Sequence, residues 1–215
     1  MALSKVNFNS MNVTPAASKA IKFNSSNNGL ETGDIGGSLV LLSTQTASSS
    51  STIDFTSDID STYKEYIFKF IDIHQSNDGA DFQFQVDTGT NTNYNQTITS
   101  AGLLAYHQED GSAATVGTHS GTAVLHQETG FQDMGRGLGN DNDQSLSGYL
   151  HIFEPSSTTF VKHFMGIINE AANDDGTNQR FFSGYINTTT AITRIRFKAD
   201  AGTIDSGTIK MYGVS

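Results

Sequence analysis

Residues 63–74, YKEYIFKFIDIH, are the segment that most restricts how this chain can fold. Strand alternation places Tyr66, Phe68 and Phe70 on one side and Ile67, Lys69, Ile71 and Ile73 on the other. A strand that is apolar on both faces must be covered on both. Either it lies centrally in a sandwich whose outer face packs on a loop, or its second face meets another subunit.

The flanking sequence extends the β pattern. A turn cluster, SNDGAD at 76–81, leads into DFQFQVD, with Phe82, Phe84 and Val86 predicted inward and Gln83, Gln85 and Asp87 outward. A similar unit recurs about ninety residues later: FVKHFMGIINEA (160–171), NDDGTN (173–178) and RFFSGYIN (180–187). The repetition predicts two related hairpins. With GSLVLLSTQT, STIDFTSDI, SGYLHIFEP, AITRIRFK and GTIKMYGVS as further strands, it predicts an all-β, antiparallel, jelly-roll-like β-sandwich over residues 37–215. About eight to ten strands are expected. Residues 100–146 are Gly-rich and weakly periodic, and read as a long central connection of the kind that carries function.

Residues 1–36 differ from the rest and read as an N-terminal docking arm. Phe8, Val13, Ile21 and Phe23 stand isolated among Asn, Ser and Lys, and a solvated tail has no need of them. Thr14 as cap and Pro15 at the first helical position predict one short helix running through AASKAIKF. These four arm residues, with Ile67, Ile71 and Ile73, form the expected interface set.

Composition narrows the chemistry. No cysteine is present, which removes thiolate nucleophiles, disulfides and cysteine-held metals. Ser, Thr, Asn and Gly supply 86 of 215 residues, whereas charged residues reach 16% against roughly 25% in average domains. A formal charge of −10 repels phosphate backbones, so nucleic acid is not an expected partner. No eighteen-residue apolar run predicts membrane insertion, and the first residues show no apolar signal core.

Six histidines (His74, His107, His119, His126, His151 and His163) show no tight ligand spacing, and the acidic turns lack calcium-loop alternation, so no metal or cofactor is expected. GTHSG at 117–121 places its serine one position late for a nucleophile elbow, and GRGLGN at 135–140 is not a dinucleotide fingerprint. Glu109, Glu128, Glu154 and Glu170 have no distinctive surroundings for paired-carboxylate catalysis. The expectation is a protein that is not an enzyme. A carbohydrate-binding module is the alternative of another class, with Tyr94, Tyr106 and Phe131 as candidate glycan contacts.

STIDFTSDIDSTYKEYIFKFIDIHQSNDGADFQFQ and the terminal SGTIKMYGVS resemble small virion structural proteins of tailed, particularly marine, bacteriophages. The resemblance covers roughly residues 52–86 and 202–215 and carries no catalytic motif. It implies a β-sandwich, often trimeric, on the capsid exterior or tail, made in the host cytoplasm. The expected role is a tail- or fibre-associated protein in assembly or host attachment, or a capsid decoration (cement or head-fibre) protein. The implied partners are further copies of the chain in a homotrimer, other virion proteins through the arm, and a host surface glycan.

Overall fold

The computed structural model describes residues 13–14, 19–33, 39–119 and 121–214. The chain divides into two compact units, Met1–Ser38 with the terminal serine, and Leu39–Val214. In the first, β1 (Ala20–Phe23) pairs antiparallel with β2 (Leu30–Gly33). Asn24 closes the turn: its side-chain oxygen accepts from the Asn28 amide at 3.1 Å, and its own amide donates to the Gly29 carbonyl at 3.0 Å. The helix expected through AASKAIKF is therefore a strand over its described end, because cross-strand bonds and a Lys22–Glu31 ion pair of 3.5 Å satisfy this backbone.

The second unit is an all-β antiparallel sandwich. Its strands are β3 (Leu39–Thr46), β4 (Ile53–Phe55), β5 (Glu65–Gln75), β6 (Ala80–Thr88), β7 (Ile98–Gln108), β8 (Ala114–Thr118), β9 (His126–Glu128), β10 (Gln132–Leu138), β11 (Leu146–Phe153), β12 (Lys162–Ala171), β13 (Gly176–Ile186), β14 (Ile192–Ala199) and β15 (Ile204–Val214). One sheet has the order β10-β6-β14-β4. The larger runs β3-β15-β5-β11-β12-β13-β7-β8, with β9 also on β7. Between them lies an aromatic core. Phe197 of the small sheet stands 5.4 Å from Phe68 and 5.2 Å from Phe70 of the large one, and Phe84 is 5.2 Å from Phe164. Each such ring, removed from water, contributes about 1.5–3 kcal/mol before entropy is counted.

Four expectations are corrected. First, β5 and β6 do not pair with each other. The Asn-Asp-Gly turn carries the chain from one sheet to the other, and of the two expected hairpins only β12–β13 is one. Second, Ile73 is not on the outer face with Ile67 and Ile71. A bulge at Asp72 (φ 50°), matched by register shifts against β11 and β15, advances the alternation by one residue and turns Ile73 into the core.

Third, Gln85 and Asp87 are fully buried, because residues 89–97 and 129–130 fold over that face of β6. The Gln85 amide donates to the Gln96 carbonyl at 2.9 Å and the Gly130 carbonyl at 2.7 Å. Asp87 accepts from the Tyr94 amide at 2.8 Å and the Thr88 amide at 2.8 Å. Fourth, the stretch over 100–146 is not a loose connection. It contains most of β7, then β8, β9 and β10, and widens the large sheet. Its periodicity is weak because β7 and β8 lie at a half-solvated margin where little separates inward from outward positions.

Candidate interaction surface

The small sheet covers one face of the large sheet. The other face is built by alternation, since directly paired residues of antiparallel strands share a side. One row crosses it through the partners Thr118, Leu103, Phe181, Ile167, Tyr149, Lys69, Lys210 and Thr44. The next row runs Ala101, Ser183, Met165, His151, Ile67, Tyr212 and Leu41. Leu41, Ile71, Leu103, Met165 and Phe181 are all exposed on it, Ile71 by 40% and Phe181 by 42%. An outer sheet face ordinarily carries charge and polar side chains; this one interleaves Lys69, Lys210, Thr44 and Thr118 with exposed aromatic and aliphatic side chains.

Two neighbouring depressions lie at the β7 side. One of about 570 Å³ is lined by Leu103, Tyr149, Met165, Phe181, His119 and His126 among others. A second of about 490 Å³ follows, with Ala105, Val116, Asn169, Thr177 and Gln179 in its wall. No Asp, Glu, Lys or Arg lines either of them.

A buried polar network lies beneath this region and ties the two sheets together. Glu170 of β12 is fully buried and accepts from Arg180 Nε at 2.6 Å, Asn178 Nδ2 at 3.0 Å and the Arg136 amide at 3.0 Å. Arg180 Nη2 also donates to the Arg136 carbonyl at 2.9 Å. Arg136 in turn meets Asp81 at 3.2 Å and Asp133 at 3.4 Å, and Gln83 donates to Asp133 at 2.6 Å. Burial pushes the Glu170 carboxyl up to about 7, against the pull of Arg180, Asn178 and the Arg136 amide. Burial likewise raises Asp133 to about 6, opposed by Gln83.

His119 contacts Arg180 at 3.4 Å, and desolvation together with the positive charges of Arg180 and Arg136 lowers it to about 4. It is therefore neutral at pH 7. Because a guanidinium only donates, Nε2 accepts and Nδ1 carries the proton.

The remaining sequence-derived residues are placed as follows. Ile67 is half-buried and Ile71 exposed on the outer face of β5. Ile21 and Phe23 are exposed on β1, Val13 is half-buried, and Phe8 lies outside the described residues. Tyr94, expected as an exposed glycan contact, is only 2% exposed: it adopts φ 49° and its ring lies 4.1 Å from the Arg196 guanidinium, which is held by Asp54 at 2.6 and 2.8 Å. Phe131 is half-buried with Lys198 4.7 Å from its ring centre, and Tyr106 donates to Asp174 at 3.0 Å. Tyr94 and Phe131 line neither depression, whereas Tyr106 lies in the wall of the second, beside Ala105 and Val116. Tyr149 and Phe181 line the first depression, and periodicity alone does not show which face of their strands is covered.

Among the described residues, no group of three or more His, Asp or Glu is placed to hold a metal ion. His151 contacts Glu65, and His74 meets the Asn140 and Asp141 carbonyls at 3.3 and 3.2 Å. No helix among the described residues is long and apolar enough to cross a membrane. Comparison with protein-family models, curated proteins and solved structures finds no match to this chain.

Proposed function

We propose that this protein is a non-enzymatic building block of a tailed-phage virion, associated with the tail or its fibres and acting in assembly or host attachment. The observation that carries the reading is the exposed apolar outer face of the large sheet, on a sandwich whose core is already closed on the other side. Exposed apolar surface gathered on one face of this kind marks a site of protein contact. Further copies of the chain, in a homotrimer, are the proposed neighbour, and the segment 1–36 is the proposed attachment to other virion proteins. Capsid decoration is the same chemistry at a different address.

Strand order supports a jelly-roll reading. Numbered in chain order, β3, β4, β5, β6, β10, β11, β14 and β15 give sheets 1-8-3-6 and 5-4-7-2, two interleaved Greek keys. The strands β7–β9 and β12–β13 then enter as insertions that widen one sheet.

The test is location. Particles carrying a labelled copy, viewed by electron microscopy, are expected to show the label on the tail. Label on the capsid shell moves the role to decoration, and particles without label remove the virion reading. Deleting residues 1–36 is expected to leave the sandwich folded and abolish incorporation.

A second reading, binding of a neutral host glycan, is favoured by the uncharged depressions, where Tyr149 and Phe181 supply ring faces and Asn169, Thr177 and Gln179 supply hydrogen-bonding groups. A glycan array probed with the intact oligomer tests it; binding lost in Gln179→Ala at unchanged oligomer mass supports it, and an array without hits removes it.

A further inference from the structure

Among the described residues, neither lateral strand of the large sheet is paired on its outer side, and neither carries a charge or a proline. Among the described residues β8 pairs only with β7, and β3 only with β15. Edge strands present a row of unpaired N–H and C=O groups, and soluble proteins blunt them with charge, proline or inward-pointing ions. β8 reads ATVGT and β3 reads LVLLSTQT, with no charged residue and no proline in either. Every residue of β8 is exposed, and Val116, at 82%, is the most exposed large apolar side chain among those described. At the opposite edge, Leu39, Val40 and Leu41 are exposed in succession, beyond a bulge at Leu42 that separates them from the polar half of β3.

The edges of the small sheet are treated differently. β4 is three residues long with Asp54 ion-paired to Arg196, and β10 is broken by two register shifts and carries Asp133 and Arg136. Charged side chains thus stand on both edge strands of the small sheet and on neither edge strand of the large one.

We infer that copies of this chain join edge to edge, with β8 of one copy pairing with β3 of the next, so that the large sheet continues from molecule to molecule. The occupant of each edge is a second copy for two reasons. Each chain carries −10, so two copies repel wherever carboxylates face one another, and these two strands are places where backbones can meet without bringing charge together. The edges are also the two ends of the same outer rows. One such row begins at Thr118 on β8 and ends at Thr44 on β3, so the junction carries that row from one copy to the next. Because the two edges differ, the contact is heterologous, and the homotrimer is the case in which its rotation closes after three copies. The inference rests on the self-assembly reading above and adds to the covered outer face the strands that join copies at their edges.

The test uses full-length chains and light scattering coupled to size exclusion at about 10–100 µM. Val116→Lys and Leu41→Lys place an ammonium on an exposed edge position and are expected to keep the native circular dichroism and melting behaviour. Wild type is expected at three times the 23.1 kDa chain mass, and each variant alone as a monomer. Mixing the two variants leaves one intact β8 and one intact β3, on different chains, so a heterodimer of two 23.1 kDa chains is expected, unable to grow further.

A Leu41→Lys variant that dimerises with itself while Val116→Lys does not would mean that β8 pairs with its own copy by two-fold symmetry, and overturns the inference. Variants with the wild-type mass, or a mixture that stays monomeric, overturn it too. In those cases self-assembly still stands and only the choice of strands fails. Wild type that is monomeric at 100 µM removes the self-assembly reading itself, and the edge pairing with it.

Discussion

Phe164 of β12 lies across Gly184 of β13: the two are Cα partners, and a Cβ added at Gly184 would stand 2.7 Å from the end of the phenyl ring. The relationship is repeated with the strands exchanged, Phe182 of β13 lying across Gly166 of β12. Each glycine makes the space into which its neighbour's ring settles, and both rings are buried. Such crossed aromatic–glycine pairs pin register, because a slip of one residue would expose both phenyls at once.

Gly184→Ala and Gly166→Ala are therefore expected to destabilise the sandwich by about 1–3 kcal/mol each through overpacking. At Gly166 the added carbon would also lie 2.6 Å from the Tyr149 carbonyl oxygen, which has no freedom to withdraw. Urea unfolding should show a lower midpoint with an unchanged m-value, and the melting temperature should fall by roughly 2–10 °C. A midpoint equal to wild type would mean that the strands absorb the methyl without cost.

The Glu170–Arg180 pair is expected to be the polar contact most costly to break. Glu170→Ala leaves the Arg180 guanidinium, held at 2.6 Å and buried, without its counter-charge. Removing one partner of a buried pair costs about 3–5 kcal/mol. Chemical denaturation at pH 8.5, where the Glu170 carboxyl is ionised, measures it, and a loss below about 1 kcal/mol would show that water reaches Arg180.

Asp133 and His119 give this unit opposite pH dependences. Asp133 is raised to about 6 in the folded state, above its ordinary 3.8, so ionisation opposes folding. Asp133→Asn, which cannot ionise, is expected to gain relative to wild type as pH rises from 3.8 to about 6, at up to about 1.4 kcal/mol per pH unit, and to hold that gain above. His119 is lowered to about 4 from 6.5, so its contribution is complete above 6.5 and is lost as pH falls towards 4. His119→Asn should gain relative to wild type over that acidic window. Urea midpoints for the three proteins across pH 4–8 check both slopes, and curves that stay parallel to wild type would exclude these groups as the source.

Asp87 anchors the cover of β6. It accepts from the amides of Thr88 and Tyr94 at 2.8 Å each and from Gln96 Nε2 at 3.2 Å. Asp87→Ala is expected to cost about 2–4 kcal/mol, since the donors it satisfied are left within a covered region. Asn, which keeps one acceptor oxygen, should recover part of that. Hydrogen exchange should quicken at the Thr88 and Tyr94 amides in the alanine variant and stay slow elsewhere.

On the outer face the expectation reverses. Phe181→Ser and Met165→Ser remove exposed apolar surface and should change folding stability by no more than about 0.5 kcal/mol. They should instead reduce concentration-dependent association, read by sedimentation. Loss of stability without loss of association would place these side chains in the core.

Local pattern was enough for the class of fold. The alternation of Phe82, Phe84 and Val86, the aromatic run from Tyr66 to Phe70 and the turn clusters between them determine an antiparallel β protein, because side-chain period and turn chemistry are properties of neighbouring residues. The same alternation showed that β5 is apolar on both sides, and Ile67 and Ile71 do lie on the uncovered one.

Which strands pair, and what lies over each face, depends on residues distant in the chain. Ile73 turned inward because of a bulge set against β11 and β15, and Gln85 and Asp87 were buried by loops that close over β6. Tyr94 went inside onto Arg196, and the weakly periodic middle of the chain became sheet. Period can report that a residue has a partner on one side; only the tertiary structure determines whether the other side meets protein or water.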